Sequence, residues 1–139
     1  MERTFVAIKP DAVQRGFVGE IIQRFERKGF KIIGLKMMHI NAETAQKHYA
    51  EHVGKPFFEN LVKFITSGPI VAMVLEGENA IQKTRELMGE TDPAKAKEGT
   101  LRHQFGSNIE RNVVHGSDGP QTAAFEISYF FNALEIFEY

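Results

Sequence analysis

The chain has 139 residues, 42% hydrophobic and 25% charged, which is the composition of an ordinary globule long enough to bury a core. A formal net charge of -1 gives no global attraction for nucleic acid or anionic lipid, so any affinity for phosphate must come from a local cluster. There is no cysteine, which excludes disulfides and thiolate metal sites, and the longest apolar run, at 70–75, is too short to span a bilayer.

The expectation is a single domain over 1–139, cytoplasmic, with no membrane association and no leader, because Met1 runs straight into a short strand. Residues 4–8 (TFVAI) are apolar and β-branched and read as a buried strand that Pro10 stops. From 19 to 28, Ile21, Ile22 and Phe25 share a helical face, with Gly29 as the C-terminal cap. Residues 31–40 give a second strand. Asn41 can cap a helix running to about residue 52, where VGKP breaks it. Phe57, Leu61, Phe64 and Ile65 then follow helical spacing up to SGP at 67–69. The third strand is 70–75, and Asn79 can cap a helix carrying Ile81, Thr84, Leu87 and Met88, closed by Gly89. Residues 89–110 have no lasting periodicity, and so long a loop in a compact domain is either functional or hides an element. Residues 111–115 (RNVVH) are the fourth strand. Ser117 or Asp118 starts a final helix, with Pro120 in its first turn and Ala124, Ile127 and Phe131 facing inward. The apolar tail LEIFEY docks on the body. The order β-α-β-α-α-β-α-β-α implies an α+β sandwich: one mixed or antiparallel sheet covered by helices.

Neither GxxxxGK[ST] nor GxGxxG occurs, so phosphates, if bound, are held by side chains and not by a glycine loop. Lys9 after the first strand, Arg85 on the 79–88 helix, and Thr91 and Arg102 in the long loop are the candidates, since guanidinium pairs two phosphate oxygens at once. His115 is the sharpest feature. It ends a β-branched run and is followed by Gly116, Ser117, Asp118 and Gly119, which leaves its ring open on one side. A neutral imidazole is a competent nucleophile at pH 7, and Glu126, on the following helix, can reach one ring nitrogen and fix the tautomer. His48 and His52 in HYAEH have a spacing that zinc sites use, but no third ligand is evident, so no metal site is assigned. Phe58 reads as core, while Phe57 is either core or a platform for a base.

With TFVAIKPDAVQRG, HYAEH, KPFF, GETDPAKAKEGTLR and above all RNVVHGSDG in view, the chain resembles the nucleoside diphosphate kinases over nearly its whole length. The resemblance implies a ferredoxin-like α+β sandwich, with a four-stranded antiparallel sheet and a long loop at about 89–110 that forms one wall of the site. It implies ping-pong transfer of the γ-phosphate of a nucleoside triphosphate to a nucleoside diphosphate through a phosphohistidine at His115. Lys9, Arg85, Thr91, Arg102 and Asn112 would hold phosphates and sugar. Phe57 and Ile109 would flank the base, Tyr49 and His52 would stand nearby, and Ser117 and Glu126 would support the histidine. Mg2+ would arrive on the nucleotide phosphates. Broad base specificity follows from stacking alone. The resemblance also implies a homo-oligomer, tetramer or hexamer, with no obligatory nucleic acid partner. Glu98 and Glu110 stand where some relatives have proline and glycine, and the short tail is of bacterial type. The alternative is a binding module that holds nucleotide or single strands without phosphoryl transfer.

Overall fold

The computed structural model describes all residues, 1–139. In chain order the elements are β1 (Glu2–Ile8), α1 (Pro10–Gln14), α2 (Val18–Arg27), β2 (Lys31–Met38), α3 (Ala42–His48), α4 (Phe58–Ile65), β3 (Ile70–Gly77), α5 (Ala80–Met88), α6 (Leu101–Phe105), β4 (Val114–Gly116) and α7 (Pro120–Phe130). Short 3-10 turns follow α3 at Ala50–His52 and α7 at Ala133–Glu135. The strands form one sheet in the order β2-β3-β1-β4, with every neighbouring pair antiparallel. This is the expected ferredoxin-like α+β sandwich, with the sheet antiparallel and not mixed.

Alternation along the strands divides the core. Val6, Ile8, Val71, Met73 and Leu75 face one side and pack with Ile21 and Phe25 of α2, Leu87 and Met88 of α5, and Leu101 and Phe105 of α6. Phe5, Ala7, Ala72 and Val74 face the other and pack with Ala45 of α3, Val62 and Ile65 of α4, and Phe130 of α7. Both faces of β1 and β3 are therefore dry, which is why these strands read as unbroken apolar runs. No helix is long and apolar enough to cross a membrane.

Several local expectations are corrected. Pro10 does stop β1, but it also opens α1, where its missing N–H is no loss at the first helical position. The segment 89–110 hides α6, which is capped by Thr100, whose hydroxyl accepts from the His103 amide. Asn41 caps α3 as expected, but that helix ends at His48, and His52 lies on the 3-10 turn beyond it. Asn79 adopts a left-handed conformation with no side-chain cap; Glu2 from β1 accepts the Ile81 amide instead, at 2.8 Å. Neither Ser117 nor Asp118 caps α7, which starts after Gly119. The inward face of α7 carries Ala123, Glu126 and Phe130; Ile127 and Phe131 pack on the core as expected, whereas Ala124 is exposed and Ala123 takes its place. The tail docks as expected: Ile136 packs on the core, the Tyr139 hydroxyl donates to Ile32 O at 2.9 Å, and the Phe137 amide donates to Ile33 O at 2.9 Å, where a bulge interrupts the β2–β3 register.

Candidate active site

Strand β4 pairs with β1 as Val6↔Gly116, Ala7↔His115 and Ile8↔Val114. Alternation sends His115 to the Ala7 face, toward α3 and α7, and turns Val114 and Gly116 to the opposite side. A Cβ at Gly116 would stand 2.7 Å from Met88 Sδ. A side chain here would displace the end of Met88 beneath α5, so Gly116 serves packing as well as lining the cavity beside the imidazole.

His115 Nε2 lies 2.6 Å from Glu126 Oε2, and Ser117 Oγ donates to Glu126 Oε1, also at 2.6 Å. Glu126 is almost fully buried on α7, so both of its oxygens are engaged inside the protein. A carboxylate needs a donor, so the partner assigns the imidazole proton to Nε2 and leaves the lone pair on Nδ1. Nδ1 makes no hydrogen bond within the protein, and the His115 side chain is 23% exposed.

The approach to β4 is strained. The Val114 amide donates back to Asn112 O at 2.9 Å around Val113, which has φ 68. That is the rare left-handed γ-turn, and it is unfavourable for a β-branched residue. It shortens the expected 111–115 strand and is held from outside. Buried Asp11 accepts the Val113 amide at 3.1 Å, and the Lys9 amide donates to Val113 O at 2.8 Å. Asn112 is thus turned onto Lys9, whose Nζ donates to Asn112 Oδ1 at 2.7 Å and to Glu110 O at 3.2 Å. Asn112 Nδ2 donates in turn to Thr91 O at 3.0 Å.

Positive charge is concentrated here. Lys9 is 5% exposed, and burial, then the neighbouring Arg102, push its ammonium down to about 8 against the smaller pull of Asp11 and Glu110. Arg102 donates to Gly89 O at 3.0 Å and to Val114 O at 2.9 Å. Burial and Arg85 lower it to about 10, so it stays charged at neutral pH.

A cavity of about 930 Å³ takes in every residue singled out from the sequence except Ser117, which stands behind Glu126. The cationic and polar part of its lining is Lys9, Arg85, Thr91, Arg102, Asn112 and His115. In the apolar part, Phe57 is 48% exposed and Ile109 is 61% exposed, so both present apolar surface to solvent. The exposure of Phe57 settles its ambiguity against the core. His52 stands beside it, with ring centroids 5.3 Å apart, and is bonded to Lys55. Tyr49 is buried, with its ring edge-on to His115 at 6.4 Å, and burial raises its phenol above the ordinary value.

His48 was missed as a site residue. Its Nδ1 lies 3.2 Å from the same Glu126 oxygen that holds His115, yet it makes no hydrogen bond. Burial, then the charges of His115, Lys9 and His52, push it down to about 2, so it is neutral. Its true neighbours are Glu126 and His115, not His52, because α3 stops at His48. HYAEH drew notice to it, but spacing within one helix could not show a partner on α7. Asp11 was also missed, since nothing local marks a carboxylate that serves a turn one hundred residues away.

The comparisons with known proteins agree with this geometry. The family model described as nucleoside diphosphate kinase matches residues 2–136. The nucleoside diphosphate kinase of Pelotomaculum thermopropionicum is 63% identical over 139 residues, all of this chain and 93% of that protein. The one from Archaeoglobus fulgidus is 61% identical over 136 residues, 98% of this chain and 90% of that one. Among solved structures, the halophilic nucleoside diphosphate kinase from Halobacterium salinarum in complex with CDP superposes with a TM-score of 0.97 at 49% identity, covering 99% of this chain and 92% of that one. The Aquifex aeolicus enzyme gives 0.95 at 45% identity, covering 98% and 99%. With the family model matching residues 2–136 and relatives above 60% identical along the whole chain, this protein belongs to the nucleoside diphosphate kinase family.

Proposed function

We propose that the chain transfers the γ-phosphate of a nucleoside triphosphate to a nucleoside diphosphate, with His115 Nδ1 carrying the phosphate between them. The observation that carries this reading is the Nε2–Glu126 bond of 2.6 Å, which leaves Nδ1 as a neutral, basic nitrogen at the cationic end of the cavity. The Nδ1 lone pair attacks the γ-phosphorus, the Nδ1–P bond forms, and the bond to the β,γ-bridging oxygen breaks, releasing nucleoside diphosphate. The ring then carries positive charge. Glu126 stabilises it through Nε2–H, while Ser117 keeps the carboxylate in place. An acceptor diphosphate reverses the step with its own terminal oxygen.

Lys9, Arg85 and Arg102 neutralise charge on the transferring and leaving oxygens, and Thr91 and Asn112 orient phosphate and sugar. Phosphoryl transfer is largely positioning and electrostatics, which such a set supplies. The phosphate end offers ammonium, guanidinium and amide donors, not a cage of oxygen ligands. Mg2+ therefore fits as part of the substrate, where it would neutralise phosphate charge. Phe57 and Ile109 flank the base, with Tyr49 and His52 nearby. A stacking platform reads no base edge, so specificity is broad. Two further expectations belong to this reading: a single domain acting in the cytoplasm, and assembly as a tetramer or hexamer.

The test is a two-step transfer. The pure protein is incubated with Mg2+ and ATP labelled on the γ-phosphate, and nucleotide is then removed. The expected result is an acid-labile, alkali-stable label at His115 that added GDP strips off as labelled GTP. Nucleotide binding with no label would overturn the covalent mechanism in favour of a binding module.

A further inference from the structure

Two imidazoles and one carboxylate converge at the rear of the site, on the side of His115 away from the phosphates. His48 Nδ1 is 3.2 Å from Glu126 Oε2, His115 Nε2 is 2.6 Å from the same oxygen, and the three ligand atoms all lie within 4.8 Å of one another. His48 is 4% exposed at its side chain, and its Nδ1 is buried without a hydrogen-bond partner. A buried imidazole nitrogen 3.2 Å from a carboxylate oxygen, with no hydrogen bond between them, is the arrangement that a shared cation would relieve.

We propose that His48, His115 and Glu126 form an inhibitory site for a borderline transition-metal cation, zinc above all, which silences transfer by moving the imidazole proton to the wrong nitrogen. Two histidines, one carboxylate and a water make a common zinc ligand set. Ligands about 2.0–2.1 Å from a tetrahedral zinc sit about 3.3 Å apart, so the His48–Glu126 pair is already at the right separation, and only the His115–Glu126 pair must open. Mg2+ takes oxygen ligands and does not compete here.

The proton balance explains the inhibition. In the apo site Nε2 carries the ring proton and Nδ1 the lone pair. Zinc takes a lone pair on Nε2, so the proton moves to Nδ1 and none leaves the ring. The pair that would attack phosphorus is then tied up in an N–H bond. His48 would bind through Nδ1, with its single ring proton on Nε2, so no proton need leave either imidazole. The inhibitory consequence rests on the phosphohistidine reading, whereas the binding of metal does not.

The first measurement is therefore binding. Nucleotide-free protein is titrated with Co2+ as an optical stand-in. Visible absorption of the tetrahedral type, displaced by one equivalent of Zn2+, is expected. His48→Gln and, independently, Glu126→Gln should weaken Co2+ binding at least about tenfold, and His52→Ala should leave it unchanged. Nitrogen-15 spectra of histidine-labelled protein should show the His115 proton shift from Nε2 to Nδ1 on adding zinc. In transfer assays with Mg2+ in excess, micromolar free zinc should inhibit the wild type and a chelator should restore it. The ratio of rates with and without zinc should return to near one in His48→Gln, whatever that variant's own rate. Purely octahedral cobalt spectra, or equal zinc inhibition of wild type and His48→Gln, would overturn the proposal. Absence of transfer before any zinc is added would instead overturn the kinase reading, and the cobalt titration would still decide the metal site.

Discussion

The two parts of the cavity are built on opposite plans. In the cationic part, the proposed phosphate site, the polar groups are fixed in advance. Lys9 is bonded to Asn112, Asn112 to Thr91, Arg102 to two carbonyls, and His115 to Glu126. In the apolar part, the proposed base site, Phe57 and Ile109 stand out in solvent with no comparable set of bonds. Charge that develops in a transition state is stabilised by dipoles already in place, because reorienting them during reaction costs free energy. A planar base needs only a ring to lie on. Rigidity is therefore concentrated where bonds change, and tolerance where substrates differ.

Substitutions can break that contrast. The largest effect is expected from His115→Ala, which should lower transfer by at least about a thousand-fold while nucleotide still binds; calorimetry alongside the labelled assay checks both halves. Next, Lys9→Met should reduce kcat by roughly 100- to 1,000-fold, the range seen when a preorganised donor is removed, with a much smaller change in KM. An equal loss in KM would mean that Lys9 only helps to bind ground-state phosphate. At the other end, Phe57→Ala should weaken all nucleotides by about 1–3 kcal/mol with kcat nearly unchanged. Weakening confined to purines would show that the base end reads more than a ring face.

The smallest effect sharpens the contrast through pH. Lys9 is charged below about 8 and loses its proton as the pH rises through that value. For the free enzyme, kcat/KM should fall on the alkaline side of about 8, by up to about tenfold per pH unit. In Lys9→Arg that limb should vanish from the accessible range. Stability runs the other way. The folded pKa lies below the ordinary 10.5, so the charged lysine destabilises the fold below about 8, and this is relieved as pH rises from there toward 10.5. Chemical denaturation at pH 7 and pH 9.5 checks the sign against Lys9→Met, which should show a smaller difference.

Much of this was legible in the sequence because the signals are local. Apolar runs gave the strands, Asn41 its cap, and NVVHGSDG the imidazole with its carboxylate eleven residues on. What stayed hidden depends on contacts distant in the chain. The Val113 turn breaks the β-branched pattern because Asp11 and Lys9 hold it from a segment about a hundred residues away. The cap of α5 comes from Glu2, not from adjacent Asn79. Gly116 looked like an open door beside the histidine, and only the pairing with β1 shows that it faces Met88. His48 needed α7 laid against α3 before its partner could be seen.

The three residues of β4 also act as a parity check on the chain. Val114 and Gly116 are locked into one layer while His115 alone points into the other. A slip of one residue against β1 would bury the imidazole under α5 and offer valine or glycine to the nucleotide, with no halfway register between. An inserted or deleted residue within 106–111 leaves the β4 pairing intact but displaces Ile109 from the cavity wall and the Glu110 carbonyl from Lys9. The same change between β4 and Glu126 alters which residue of α7 meets the imidazole, so a length change on one side of His115 disturbs the cavity wall and on the other removes the carboxylate partner itself.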